Sequence, residues 1–203
     1  MKQKIIAIMG PSGAGKDTVA NILSIALNIP LLCSFTTRPM RDGEVNGREH
    51  FFVKECKTPK EDMLAYTEYG GYEYWTEIDQ VKDAAIYVID ERGFLSICEH
   101  FPDIELVSIY VAAKPETLKA RGIAPERTKR DEYRVSLDIN SFDYVISNNL
   151  SIYRLLTTTL NVKRCIQAAN REKSKHEAEV EEILKKGGLA AKNLIRILNS
   201  FFF

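Results

Sequence analysis

The stretch "KIIAIMGPSGAGKDTVANIL", residues 4–23, decides the fold. An apolar run from Lys4 to Met9 leads into Gly10, Pro11, Ser12, Gly13, Ala14 and Gly15, and Lys16 follows at once. A helix is predicted from Lys16 to Leu27. Strand, glycine-rich turn and helix, in that order, make a phosphate-binding loop. Glycines let backbone N–H groups converge on phosphate oxygens with no Cβ in the way. The helix start adds the favourable end of its dipole, and Lys16 would reach the β and γ phosphates. The residues from Gly10 to Lys16, with Asp17 and Thr18, form the candidate nucleotide-phosphate-binding set. Asp17 stands where the pattern expects Ser or Thr. Two readings are open: it binds Mg²⁺ directly or through water, or it is a first-turn acid favoured by the dipole.

The length of 203 residues allows one compact domain with an appendage. Apolar residues make up 45% and charged residues 28%, an ordinary globular balance. The formal net charge is zero, which argues against nucleic acid or an anionic membrane as a partner held by bulk electrostatics. Phosphate chemistry must then use local charge. Cys33, Cys56, Cys98 and Cys165 are far apart and lack metal-ligand spacing; free buried thiols in a reducing compartment are expected. The apolar run after Lys4 is too short for a signal-peptide core. No stretch approaches the ~20 apolar residues of a membrane span. A cytoplasmic protein is expected.

Five apolar runs, "KIIAIM", "LLCSF", "AAIYVID", "ELVSIYV" and "YVIS", alternate with predicted helices. Strands buried on both faces have this composition. The alternation predicts a three-layer α/β/α fold around a central parallel sheet of about five strands. Helices are predicted at Glu77 to Asp83, Arg92 to His100, Pro115 to Arg121 and about Ser151 to Asn170. Residues from about 36 to 76 break the alternation and predict a small insert. Within it, Thr58-Pro59-Lys60-Glu61 has the form of a capping box that starts a short helix. Beyond Asn170, a charged helix is expected to break at Gly187-Gly188. It then resumes with Leu194, Ile195, Leu198 and Phe202 on one face. The expected organisation is a domain over 1–170 and a helical extension over 171–203. That extension is expected to pack back on the core or to pair between subunits in a homo-oligomer. Phe201 to Phe203 would be an apolar patch unless buried.

Taken with "SFTTRPMRDGEVNGREHFFV" (34–53) and "GYEYWT" (71–76), the "GPSGAGK" loop (10–16) resembles the guanylate kinase family of nucleoside monophosphate kinases. The likeness covers roughly residues 3 to 165. It implies a P-loop kinase domain with a monophosphate-binding insert (about 36–76) and a helical lid (about 121–134). By this resemblance Arg38 and Arg41 grip the acceptor phosphate, and an arginine fork suits that task. Tyr74 contacts the same phosphate, and His50 stands at a further phosphate-binding position. Ser34 and Thr76 lie near the base. Asp90 lies between the two nucleotide sites. Asn148, in "VISNN", lies beside the donor adenine.

The family's guanine-reading glutamate matches Ala65 here, with Glu68 nearby as a substitute. A second acidic position matches Val88. Trp75 replaces a glycine and adds a bulky ring beside the base site. Phosphoryl transfer needs cations around the transferring group. The lid segment "LKARGIAPERTKRDEYR" supplies Arg121, Arg127, Arg130 and Arg134, and Arg121 and Arg130 stand nearest the family's lid arginines. Lys16, Arg121 and Arg130 are thus the candidate catalytic cations. The resemblance implies transfer from ATP·Mg²⁺ to a nucleoside monophosphate, with GMP or dGMP favoured. Two alternatives stay open: a kinase for another (deoxy)nucleoside monophosphate, and a non-catalytic guanylate kinase-like interaction module.

Overall fold

The computed structural model describes residues 2–123, 131 and 134–202. The chain divides into two compact units, Met1–Leu160 and Asn161–Phe203.

In the first unit, β1 (Lys4–Met9) lies at the centre of a four-stranded parallel sheet. Its neighbours are β6 (Ala84–Val88) on one side and β7 (Glu105–Ala112) on the other, with β8 (Tyr144–Ser147) beyond β7. Ile5 to Met9 have no solvent exposure, as a strand covered on both faces requires. The fifth predicted strand, "LLCSF", is reduced to one bridge between Leu31 and Ile86. Its remainder turns away as β2 (Phe35–Thr36). Helices α1 (Lys16–Leu27), α2 (Glu91–His100) and α3 (Pro115–Ala120) fall within a residue of their predicted limits.

The insert is a second four-stranded sheet in the order β3-β2-β5-β4, with β3 at Phe51–Phe52, β4 at Met63–Tyr69 and β5 at Tyr72–Glu77. The capping box expected at Thr58 does not form. The Thr58 hydroxyl instead donates to Glu77 Oε1 at 2.5 Å and accepts from Trp75 Nε1 at 2.9 Å. Only a 3₁₀ turn, Lys60–Asp62, remains there. The predicted helix at Glu77 shortens to a 3₁₀ turn, Ile78–Gln80, and this turn carries a capping box, between Glu77 and Gln80.

Helix α4, Ile152–Phe202, supplies the last turns of the first unit and the whole described second unit. Its backbone runs through Gly187-Gly188 without the expected break. Two helical glycines cost about 1 kcal/mol each, which lowers helix stability without forbidding the helix. The side chains of the apolar face expected from Leu194 onward, Phe201 to Phe203 included, lie outside the described residues. The cysteines are free, as expected, but none is fully buried: Cys33 and Cys56 are half-buried, Cys98 and Cys165 exposed. Among the described residues, no helix is long and apolar enough to cross a membrane.

Candidate active site

Parallel sheets place ligand crevices at the carboxyl ends of their strands. Here those ends present Gly10 after β1, Asp90 after β6 and Asn148 after β8. The loop from Gly10 to Gly15 closes tightly. Gly10 has φ +140°, and a Cβ there would lie 2.3 Å from the Val111 carbonyl oxygen. Gly15 caps α1 at φ +97°, and a Cβ there would meet Asn148 Nδ2 at 2.5 Å. A side chain at either position would disrupt the loop.

Lys16 curls back over the loop it ends, donating from Nζ to the carbonyls of Gly10 at 2.8 Å and Pro11 at 3.0 Å. Arg121, at the end of α3, donates from Nη1 to Gly13 O at 2.7 Å and from Nη2 to Asn148 O at 2.9 Å. Two of the three expected catalytic cations therefore meet at the loop; Arg130, like Arg127, lies outside the described residues. The Asn148 side chain faces the loop rather than open space for a base. Its amide donates to Ala14 O at 2.7 Å and braces the loop. Asp17 and Thr18 are exposed on the first turn of α1.

A second cluster forms in the insert. Arg38 is buried, and its guanidinium makes a two-pronged bond to Glu44, Nη1 to Oε2 at 2.8 Å and Nη2 to Oε1 at 2.9 Å. The Phe52 ring lies against the same guanidinium, 5.2 Å from its centroid. Glu44 also accepts from the Arg41 backbone N–H at 2.8 Å. The Arg38 fork, the largest influence, holds the Glu44 carboxyl down at about 2. Arg41 itself is exposed. His50 Nδ1 lies 2.7 Å from the Ser34 hydroxyl, and its ring meets Tyr74 edge-on at 5.7 Å. Burial, and then the nearby Arg38 charge, push the His50 imidazole below its ordinary value, so it is neutral at neutral pH. The structure thus brings Ser34, Arg38, His50 and Tyr74 together.

Strand pairing sorts the remaining candidates. In β4 and β5, Ala65 pairs with Thr76 and Thr67 with Tyr74, while Tyr66 pairs with Trp75 and Glu68 with Glu73. Directly paired residues share a face and successive residues alternate. Ala65, Tyr74 and Thr76 therefore occupy one face, and Glu68 and Trp75 the other. Glu68 does not take the place of the glutamate missing at Ala65; its carboxylate accepts the Tyr66 hydroxyl at 2.6 Å. Trp75 does not flank the base site either. It stacks on Phe35 at 5.5 Å and lines a cavity of about 500 Å³ on the far face. An offset of three within a strand already reverses the face, so this much was readable from the sequence. Thr76 donates to the Tyr87 hydroxyl at 3.0 Å, and burial pushes that phenol up to about 12. Asp90 caps α2, accepting from the Gly93 N–H at 2.8 Å.

Two residues at the loop, Glu91 and Asp131, were missed as site residues, and Arg134 was read only as one of the lid arginines. Glu91 is buried and receives Arg134 as a fork, Nε to Oε2 at 3.0 Å and Nη2 to Oε1 at 2.6 Å. Arg134 Nη1 also donates to the Gly10 carbonyl, which Lys16 shares. Asp131 accepts from the Ser12 N–H at 2.6 Å and faces the Ser12 hydroxyl at 3.2 Å. No local sequence signal announces contacts between residues 43 and 119 positions apart.

Comparison with known proteins agrees with this geometry. Residues 2–169 match the family model described as guanylate kinase. The guanylate kinase of Halalkalibacterium halodurans is 30% identical over 201 residues, covering 89% of this chain and 98% of that one. The guanylate kinase of Prochlorococcus marinus is 31% identical over 168 residues, covering 73% and 90%. The crystal structure of guanylate kinase from Anaplasma phagocytophilum superimposes with a TM-score of 0.58 at 24% identity, covering 82% of this chain and 86% of that one, a likeness of fold. A phosphate loop on a parallel sheet, an arginine-bearing insert and a family match over most of the chain converge: this protein belongs to the guanylate kinase family.

Proposed function

We infer that this chain transfers the γ-phosphoryl group of ATP to the phosphate of GMP or dGMP, yielding ADP and GDP or dGDP. The observation that carries the reading is the pairing, on one chain, of a loop with Lys16 and Arg121 on its carbonyls and an insert with Arg38, His50, Ser34 and Tyr74 clustered. The first suits the donor polyphosphate and the second an acceptor monophosphate. Loop N–H groups and the start of α1 hold donor phosphates, and Lys16 leaves its two carbonyls to meet them. Arg38, held by Glu44, presents its remaining N–H groups to the acceptor phosphate, with exposed Arg41 as the second cation. The acceptor phosphate oxygen attacks, so no side chain serves as nucleophile. Positioning and charge stabilisation do the work.

Nucleotide kinases of this kind generally use a divalent metal. The exposed Asp17 carboxylate, one residue from Lys16, fits Mg²⁺ that is held mainly by nucleotide phosphates and water. Bound there, the ion would offset charge on the donor phosphates.

One observation favours a second reading, a kinase for another nucleoside monophosphate. The face carrying Thr76 and Tyr74 presents buried Ala65 where an acid would read guanine, and Glu68 lies on the opposite face. Release of ADP from ATP across a panel of monophosphates decides between them. Turnover with guanine nucleotides alone supports the first reading. Turnover with a different base establishes the second, and no turnover with any overturns both.

A further inference from the structure

Two residues of opposite charge, Asp131 and Arg134, reach the phosphate loop. Asp131 sets Oδ2 2.6 Å from the Ser12 amide nitrogen and Oδ1 3.2 Å from the Ser12 hydroxyl. Ser12 is only 2% exposed, so this pairing sits inside the loop. Three residues on, Arg134 is fixed by its fork to buried Glu91 and by its bond to the Gly10 carbonyl. Asp131 and Arg134 face each other at 3.9 Å. Arg134 is therefore tethered, and Asp131 places an anion three positions before it in sequence.

Amides of such a loop are arranged to hold anionic oxygen. A carboxylate offers what a phosphate offers there: two oxygens, negative charge and acceptance from an N–H and an O–H. The Ser12 N–H points at one acceptor at 2.6 Å, so a donor phosphate oxygen and Asp131 cannot both hold that position. Their like charges would also repel at such range.

We propose that Asp131 is a built-in competitor for the donor nucleotide: its carboxylate fills the Ser12 position of the phosphate loop and is displaced when a polyphosphate binds. The Glu91–Arg134 tether keeps the displaced acid close, so it competes at high local concentration. Asp131 thereby weakens donor binding while leaving the acceptor cluster alone. The proposal rests on the phosphotransferase reading only for the identity of the donor.

The test uses the full chain with Asp131→Asn and Asp131→Ala. Dissociation constants are measured by calorimetry for ATP without acceptor, for inorganic tripolyphosphate and for GMP. A charge-assisted hydrogen bond no longer competing predicts about tenfold tighter binding of ATP and tripolyphosphate in Asp131→Ala. Asp131→Asn should lie between, and GMP affinity should stay within about twofold. Equal or weaker ATP affinity, in a variant that melts like the wild type, overturns the proposal. Should both variants misfold, hydrogen exchange of the wild type decides. Added tripolyphosphate must speed exchange around Asp131 and Arg134, and unchanged or slower exchange overturns the idea. Wild-type turnover with ATP and GMP separates the two levels. Turnover with unaltered ATP affinity in the variants sinks this proposal alone. No turnover, with tighter tripolyphosphate binding in the variants, sinks the transfer reading and leaves the competitor standing.

Discussion

Replacing Glu44 with Gln tests how the acceptor cluster is held. The Glu44 carboxyl sits at about 2 in the folded chain against an ordinary 4.5, chiefly through the Arg38 fork and also through the Arg41 N–H. At 1.36 kcal/mol per pH unit that difference corresponds to about 3 kcal/mol. The side chain is 17% exposed, so solvent screening lowers the expected net contribution to about 1–2 kcal/mol. The sign follows from the depressed value: the stabilisation is complete above the unfolded value of 4.5 and is lost as pH falls towards 2. Urea unfolding of wild type and Glu44→Gln measures it. At neutral pH the variant should be less stable by about 1–2 kcal/mol, and the gap should shrink steadily below the unfolded value. Arg38, no longer locked in plane, should also raise KM for GMP more than for ATP. A stability gap that stays constant across that acid range would refute the reasoning, because the difference would then not come from an ionised Glu44.

Lys16→Ala should cut kcat by about 10²–10³ or more while the chain still folds, since Lys16 lies on the phosphate loop, donating to the Gly10 and Pro11 carbonyls; full activity sinks the loop assignment. Arg41→Ala should raise KM for the acceptor about tenfold with KM for ATP within about twofold; equal effects on both substrates place Arg41 elsewhere. Glu68→Ala should leave KM for GMP unchanged, because its carboxylate lies on the far face with Tyr66; a large rise would mean the register is wrong. Gly10→Ala should destabilise the fold by about 2–4 kcal/mol, read by denaturant melting, because its Cβ has no room beside Val111 and φ is positive.

The residues from 4 to 27 specify their own structure. Apolar run, glycine turn and helix are local preferences that agree with one another, and β1 and α1 form where the sequence places them. The motif between Ser34 and Val53 likewise determined which side chains would gather, because Arg38, Glu44 and His50 are close in sequence and need only a compact loop to meet. Only the tertiary structure decided the rest. Pairing with β5 decided which of its residues share a face with Ala65, namely Tyr74 and Thr76. The capping box moved from Thr58 to Glu77 because a hydroxyl contact from the loop to the end of β5 outcompeted a local one. Asp131 and Arg134 reach Ser12, Gly10 and Glu91 across more than forty residues of chain. Such contacts are set by the parallel sheet, which brings strand ends together whatever their separation in sequence. A local pattern records what a segment prefers; it does not record which distant charge will lie against it.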